Sequence, residues 1–175
     1  MSQHTLAFIA IGSNITPFEQ IPQALDWLRH LPESSLFVES SWYRTLPWGM
    51  VEQPDFVNLV VGLKTCLSPH SLLGETRMIE SRLQRVRREK NGPRTIDLDI
   101  LLFGDRVLAE PDLHIPHPGL LVRDFMLIPL IEVAPDAVHP VRGRPVRTLT
   151  GQIRHRQILE RLPGRGESAP FGSNP

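Results

Sequence analysis

Two carboxylates inside an apolar run limit what this chain can fold into. From Gly92-Pro93-Arg94 the chain enters Thr95-Ile96-Asp97-Leu98-Asp99-Ile100-Leu101-Leu102-Phe103, and apolar residues that follow a turn signal predict a buried strand. Side chains on a strand alternate between faces, so Asp97 and Asp99 share one face, roughly 7 Å apart, while Ile96, Leu98 and Ile100 pack on the other. The long apolar continuation predicts a central strand rather than an edge. Like charges in a partly buried site raise each other's pKa unless a cation offsets them, so the pair calls for arginines or a hard divalent metal. Cations lie just upstream, where Arg85, Arg87, Arg88, Lys90 and Arg94 crowd into ten residues. Either feature alone is common on a solvated surface. Together they suit transfer of a phosphoryl group from a nucleotide, where metal and guanidinium groups jointly offset phosphate charge.

The remaining sequence bounds the class. A chain of 175 residues with a single cysteine is long enough to bury a core without staples and cannot form an internal disulfide. Residues 1–162 are expected to form one domain, and the Gly-, Pro- and Ser-rich residues 163–175 a disordered tail. The N-terminus lacks a basic region followed by an apolar run of secretory length, which predicts a cytoplasmic protein, expected as a monomer. No stretch approaches the roughly 20 apolar residues of a membrane span. The 19 basic and 19 acidic residues balance, so net charge draws the chain toward neither nucleic acid nor membrane.

Residues 6–11 read as a buried strand ending in the turn signal Gly12-Ser13-Asn14. Phe18, Ile21, Leu25 and Leu28 then recur at helical spacing, with Thr16 as N-cap and a regular start nearer Pro22 than Pro17. Residues 36–43 and 55–65 predict two strands, joined by a stretch too long for a tight hairpin that carries Trp48 and two prolines, a candidate binding loop. Phe56 and Asn58 share a face of the second strand, and a buried amide there needs partners. Ser68-Pro69 caps a helix with the stripe Leu72, Thr76, Ile79, Leu83, leaving Arg77 and Glu80 on a polar flank. His114 and His117 lack the further ligands that zinc would need. Residues 123–135 predict a last buried helix from about Pro129. This order of elements suggests an α+β fold, a ferredoxin-like split βαβ sandwich whose central, mainly antiparallel sheet is flanked by helices.

Five further groups of residues stand in order with the carboxylate strand: Ala10-Ile11-Gly12-Ser13-Asn14, Ser40-Ser41-Trp42-Tyr43-Arg44-Thr45, Gln53-Pro54-Asp55-Phe56-Val57-Asn58, Ile115-Pro116-His117-Pro118 and Arg123-Asp124-Phe125-Met126-Leu127. On these motifs residues 7–149 resemble the 6-hydroxymethyl-7,8-dihydropterin pyrophosphokinase family of folate biosynthesis. The resemblance implies an ATP- and Mg-dependent transferase that moves the pyrophosphoryl group of ATP onto the hydroxymethyl oxygen of a reduced pterin and releases AMP. It implies two Mg2+ ions on Asp97 and Asp99, and a pterin sandwiched by Phe56 and Phe125 and hydrogen-bonded by Asn58, Thr45 and the Trp48 backbone. It further implies an ATP site formed by Glu80, Arg87, Arg94, Ile100, His117 and Arg123, with Arg85 and Arg94 acting in catalysis and Arg85 arriving on a closing loop. Phe56 stands where many relatives carry tyrosine, Asn91 where a tryptophan is common and Arg77 where a glutamine is expected. An RNA-binding sheet is the alternative from another class, and the carboxylate face argues against it because it would meet a polyanion.

Overall fold

A computed structural model describes residues 3–49, 52–85 and 91–164. The chain is α+β. It runs β1 (Thr5–Ser13), α1 (Pro17–Arg29), β2 (Ser34–Glu39), β3 (Tyr43–Thr45), β4 (Phe56–Thr65), α2 (Pro69–Arg82), β5 (Asp97–Phe103), β6 (Leu108–Glu110), β7 (Leu113–Ile115), α3 (Asp124–Val133), β8 (Val138–His139), β9 (Arg144–Pro145) and β10 (Ile158–Arg161). The main sheet has the order β10-β3-β4-β1-β5, with β2 also on β4, and every pairing in it is antiparallel. The pairs β6–β7 and β8–β9 form small separate ladders. No helix among the described residues is long and apolar enough to cross a membrane.

Strand alternation produces two cores. Ile9, Ile11, Leu59, Val61, Leu63, Leu98 and Ile100 pack with Ile21, Leu25, Leu28, Leu72 and Ile79 of α1 and α2. Phe8, Ala10, Val60 and Leu102 pack with Phe125, Leu127 and Leu130 of α3 and with Val146 and Leu149 beyond it. Each such aliphatic side chain contributes about 1.5–3 kcal/mol on burial, so the sheet is held from both sides.

Several expectations need correction. The predicted strand over 36–43 is two strands, because Ser40 interrupts it: its N–H donates to Val60 O and its Oγ accepts from Val60 N–H. Helix α1 starts at Pro17, not near Pro22, and Thr16 holds the N-cap position in a left-handed conformation (φ 46°) without a side-chain cap bond. Pro22 is tolerated where the carbonyl it leaves without a helical partner belongs to Phe18, a residue 65% exposed and open to solvent. Likewise α3 starts at Asp124 and carries Pro129 inside it. Glu80, expected on a polar flank, is 6% exposed.

The carboxylate strand β5 is an edge, not a central strand, since among the described residues it pairs only with β1. Its apolar run has another cause. Both faces of β5 are covered, and its outer edge is closed by substitutes for a neighbouring strand: the Glu80 carboxylate accepts from Leu98 N–H at 2.9 Å, and His117 N–H donates to Leu101 O at 3.0 Å. A covered edge is protected from pairing with other chains as a paired one is.

Candidate active site

The site is a row across three strands. Register places Asn58 of β4 and Asp97 of β5 on either side of Gly12 of β1, and Val60 and Asp99 on either side of Ala10 one step further along. Small residues in the middle strand leave the floor open. A Cβ on Gly12 would lie 2.5 Å from Asn58 Oδ1, so only glycine lets the amide and the carboxylate face one another across this floor. Above it lies a cavity of about 230 Å³ lined by Thr45, Trp48, Phe56, Asn58, Arg85, Arg94, Asp97, Asp99, Arg123 and Phe125 among others. A second cavity of about 360 Å³ shares Asp99 and Arg123 with the first and adds Ile100 and His117.

The β4 wall is neutral, and its amide is held in place. Asn58 Nδ2 donates to Thr45 Oγ1 at 2.8 Å, both residues being buried. Phe56 comes from the sheet and Phe125 from the helix above it. Beside the amide on the same face, Tyr43 sits opposite Asn58 and donates to Glu132 Oε2 at 2.6 Å, while Ser41 N–H and Oγ donate to Glu132 Oε1. Burial and then that carboxylate push the Tyr43 hydroxyl up to about 12. Burial alone would raise Glu132, but the hydrogen bonds from Ser41 and Tyr43 hold it below the usual carboxylate range.

The β5 wall is charged and unevenly paired. Asp97 Oδ1 accepts from Arg85 Nη1 at 2.5 Å and Asp97 Oδ2 from Arg94 Nη1 at 2.6 Å. Burial raises Asp97, yet the two guanidinium groups prevail and hold it low. Arg85 also pairs with Glu80. Asp99 differs: no arginine pairs with it among the described residues, and its Oδ2 lies 3.9 Å from His117 Nε2. Burial first, then Asp97 and Glu80, push its carboxyl up to about 7. His117 Nδ1 accepts from Gly119 N–H at 2.9 Å, which leaves the proton on Nε2. Burial and Arg123 hold that imidazole at about 4, and therefore neutral near pH 7.

Arg123 and Arg94 stand over aromatic rings. The Arg123 guanidinium lies 4.1 Å from the Trp48 ring centroid and that of Arg94 5.6 Å from Phe56. Burial lowers the Arg123 pKa, and its Nε has no hydrogen-bond partner among the described residues. A half-buried guanidinium held over a ring, with its Nε unpartnered among the described residues, is poised for an anion.

The carboxylates fit a hard divalent cation. Asp99 is an under-neutralised carboxylate beside a second one, and such oxygen donors suit Mg2+. No cluster of three or more His, Cys, Asp or Glu side chains occurs among the described residues, so the protein would supply two carboxylates and leave the other positions to substrate and water.

Residues 8–135 match the family model of 7,8-dihydro-6-hydroxymethylpterin-pyrophosphokinase (HPPK). This chain belongs to the HPPK family. It is 45% identical over 158 residues to the 2-amino-4-hydroxy-6-hydroxymethyldihydropteridine pyrophosphokinase of Pseudomonas aeruginosa, covering 90% of this chain and 96% of that one. With the enzyme of the same name from Haemophilus influenzae the identity is 44% over 135 residues, covering 77% and 84%. Among solved structures, wild-type Plasmodium falciparum HPPK-DHPS aligns with a TM-score of 0.67 at 16% identity, covering 87% of this chain. This likeness is one of fold, and the chain spans 45% of the length of that structure.

Thirteen of the fourteen site residues expected from sequence are described, and twelve of them line the two cavities. Glu80 instead lies behind the wall, between Arg85 and the outer edge of β5. Arg87 lies outside the described residues, as do Arg88 and Lys90 of the same loop, and residues 165–175 of the expected tail. Arg77 reaches Asp112, at 3.5 Å. Sequence reasoning missed Asn14, treated as part of a turn. Its Nδ2 donates to Gln53 Oε1 and Pro54 O, both at 3.0 Å, and its Oδ1 accepts from Arg94 N–H at 2.9 Å. Gln53 Nε2 in turn donates to Asn91 O. One amide thus ties the HPPK-like Trp48 loop to the segment entering β5. The available signal was an amide separated from the apolar run of residues 6–11 by only Gly12 and Ser13.

Proposed function

We propose that this chain is the folate-pathway pyrophosphokinase that its family membership indicates, transferring pyrophosphate from ATP to 6-hydroxymethyl-7,8-dihydropterin. The hydroxymethyl oxygen forms a bond to the β-phosphorus, the bond from that phosphorus to the oxygen bridging to the α-phosphate breaks, AMP leaves, and the hydroxyl proton passes to solvent. The observation that carries the reading is the single cavity with a neutral amide wall opposite a carboxylate wall across Gly12.

Each wall has its task in this reading. Phe56 and Phe125 offer ring faces to the flat pterin, and Asn58, Thr45 and the Trp48 backbone read its polar edge. Asp97 and Asp99 would hold two Mg2+ ions, which when bound offset triphosphate charge. Arg85 and Arg94, now on Asp97, are the groups that also neutralise phosphate. Exchanging the carboxylate for phosphate keeps each guanidinium paired while charge shifts during transfer. His117, neutral with its proton on Nε2, is a donor to phosphate or ribose, and Arg123 supplies a further cation. Glu80 and Ile100 complete the nucleotide side, with Arg87 assigned there from the family motif. We also read the sheet order as a split βαβ sandwich of ferredoxin-like type, formed by one domain over 1–162, and the protein as a cytoplasmic monomer.

The test is a coupled assay with ATP, Mg2+ and the reduced pterin. AMP and pterin pyrophosphate should form in equal amounts and only when all three are present. Formation of ADP, or ATP consumption independent of pterin, would overturn the reading.

A further inference from the structure

We propose that residues 154–158, with His155 at their centre, are a strap that positions Trp48 and Arg123 over the cavity, and that His155 is a positioning residue for the flat substrate. The inference rests on the pterin reading only for the identity of that ligand. The segment lies beyond residues 8–135, where the family model matches.

The strap is bonded on both sides. Toward α3, Val122 O accepts from Arg154 N–H at 3.0 Å and from His155 N–H at 2.9 Å, and Asp124 N–H donates to His155 O at 3.1 Å. The Asp124 carboxylate, 5% exposed, accepts from Gln157 N–H at 2.9 Å and from Ile158 N–H at 3.1 Å. Toward β3, Leu46 N–H donates to Gln157 O at 2.8 Å, and Ile158 sits in register with Thr45. Five residues therefore join the turn bearing Arg123 and Phe125 to the strand end bearing Thr45 and Trp48, two places far apart in sequence that line one cavity.

The His155 ring makes the contact that a plain sheet extension does not need. It meets the Trp48 ring edge-on, with centroids 4.6 Å apart and planes at 86°. The Arg123 guanidinium stands 4.1 Å from the same indole, so Trp48 is held by two cationic or ring partners at once. A T-shaped contact fixes ring orientation as well as distance. When Arg123 turns toward an anion, His155 is the partner that keeps Trp48 in place. His155 itself is exposed, so its replacement removes the ring contact without opening the core.

The experiment uses the full chain carrying Trp27→Phe and Trp42→Phe, so that emission reports Trp48. His155→Ala should raise the anisotropy-reported motion of Trp48 without ligand, and should weaken pterin binding by about two- to tenfold, the range an aromatic pair supports. ATP affinity should fall less than pterin affinity, because His155 touches Trp48 directly and reaches Arg123, a nucleotide-side cation, only through that ring. His155→Phe, which keeps a ring edge, should restore both the Trp48 signal and pterin affinity. A merely structural role would lower the melting temperature of both variants and leave Trp48 anisotropy unchanged in the folded protein, and that result overturns the strap. If the parent protein binds neither pterin nor ATP, the functional reading fails, while the ligand-free Trp48 signal still decides the strap.

Discussion

The two walls of the cavity are built from neighbouring strands yet stand in opposite electrostatic states. On the β4 side, Asn58 donates to Thr45, and the neighbouring strand β3 is anchored by Tyr43, Ser41 and Glu132. On the β5 side, Asp97 is doubly paired with arginines while Asp99, two residues on, is under-neutralised. One wall carries no charge that calls for a ligand. The other carries charge that, in the proposed function, a cation on the carboxylates and phosphates on the arginines would take up. In that proposal the neutral wall would bind a flat heterocycle at little ordering cost, whereas the charged wall would trade internal ion pairs for ligand ones.

The largest expected effect separates the two aspartates. Asp97→Asn and Asp99→Asn should each lower turnover by about 10²–10³-fold, the scale of losing one electrostatic stabiliser. Their stabilities should diverge. Asp97→Asn leaves Arg85 and Arg94 without their shared carboxylate and should cost about 3 kcal/mol, as when one partner of a buried pair is removed. Asp99→Asn relieves like-charge repulsion and should leave the metal-free melting temperature unchanged or raised. Equal melting temperatures for the two variants would remove the distinction between a paired and an under-neutralised carboxylate.

On the neutral wall the effect should be smaller and confined to one ligand. Asn58→Ala removes the amide and leaves Thr45 Oγ1 unpartnered, a change worth about 1–3 kcal/mol. Pterin affinity measured by calorimetry should therefore fall by roughly 10- to 100-fold on that basis, with ATP affinity unchanged. An equal loss for both ligands would show that the walls do not act separately.

The smallest expected effect is on pH. Glu132 is held below its ordinary pKa by its hydrogen bonds, so its contribution to stability is present above the unfolded value near 4.5 and is lost as pH falls below it. Glu132→Gln should thus lower the melting temperature at pH 7 and flatten its fall between about pH 5 and pH 3. An unchanged acid limb would exclude this anchor as a source of the neutral wall's rigidity.

Much was legible in the sequence because it depends on local period and residue type. Strand alternation alone put Asp97 and Asp99 on one face and Ile96, Leu98 and Ile100 on the other, and this is how they pack. Ser68 and the stripe Leu72, Thr76, Ile79, Leu83 defined α2, where Ser68 Oγ accepts from Ser71 N–H as a cap. The edge position of β5 escaped notice because an apolar strand covered by a carboxylate and a loop amide has the composition of a central one. Pro22 and Pro129 suggested later helix starts because propensity weighs a missing N–H without knowing where its orphaned carbonyl faces.

What the sequence by itself determined is therefore the set of chemical groups and their local facing: two carboxylates two residues apart, the arginines before them, an amide and a phenyl sharing a strand face. Only the tertiary structure decided which groups meet. It put Gly12 between Asn58 and Asp97, gave both arginines to Asp97 and neither to Asp99, moved Glu80 from a polar flank to the hidden edge of β5, and brought His155 against Trp48. The reason is physical: period and propensity act over a few residues along the chain, whereas pairing of charges, amides and rings depends on strand register and on contacts between residues far apart in sequence.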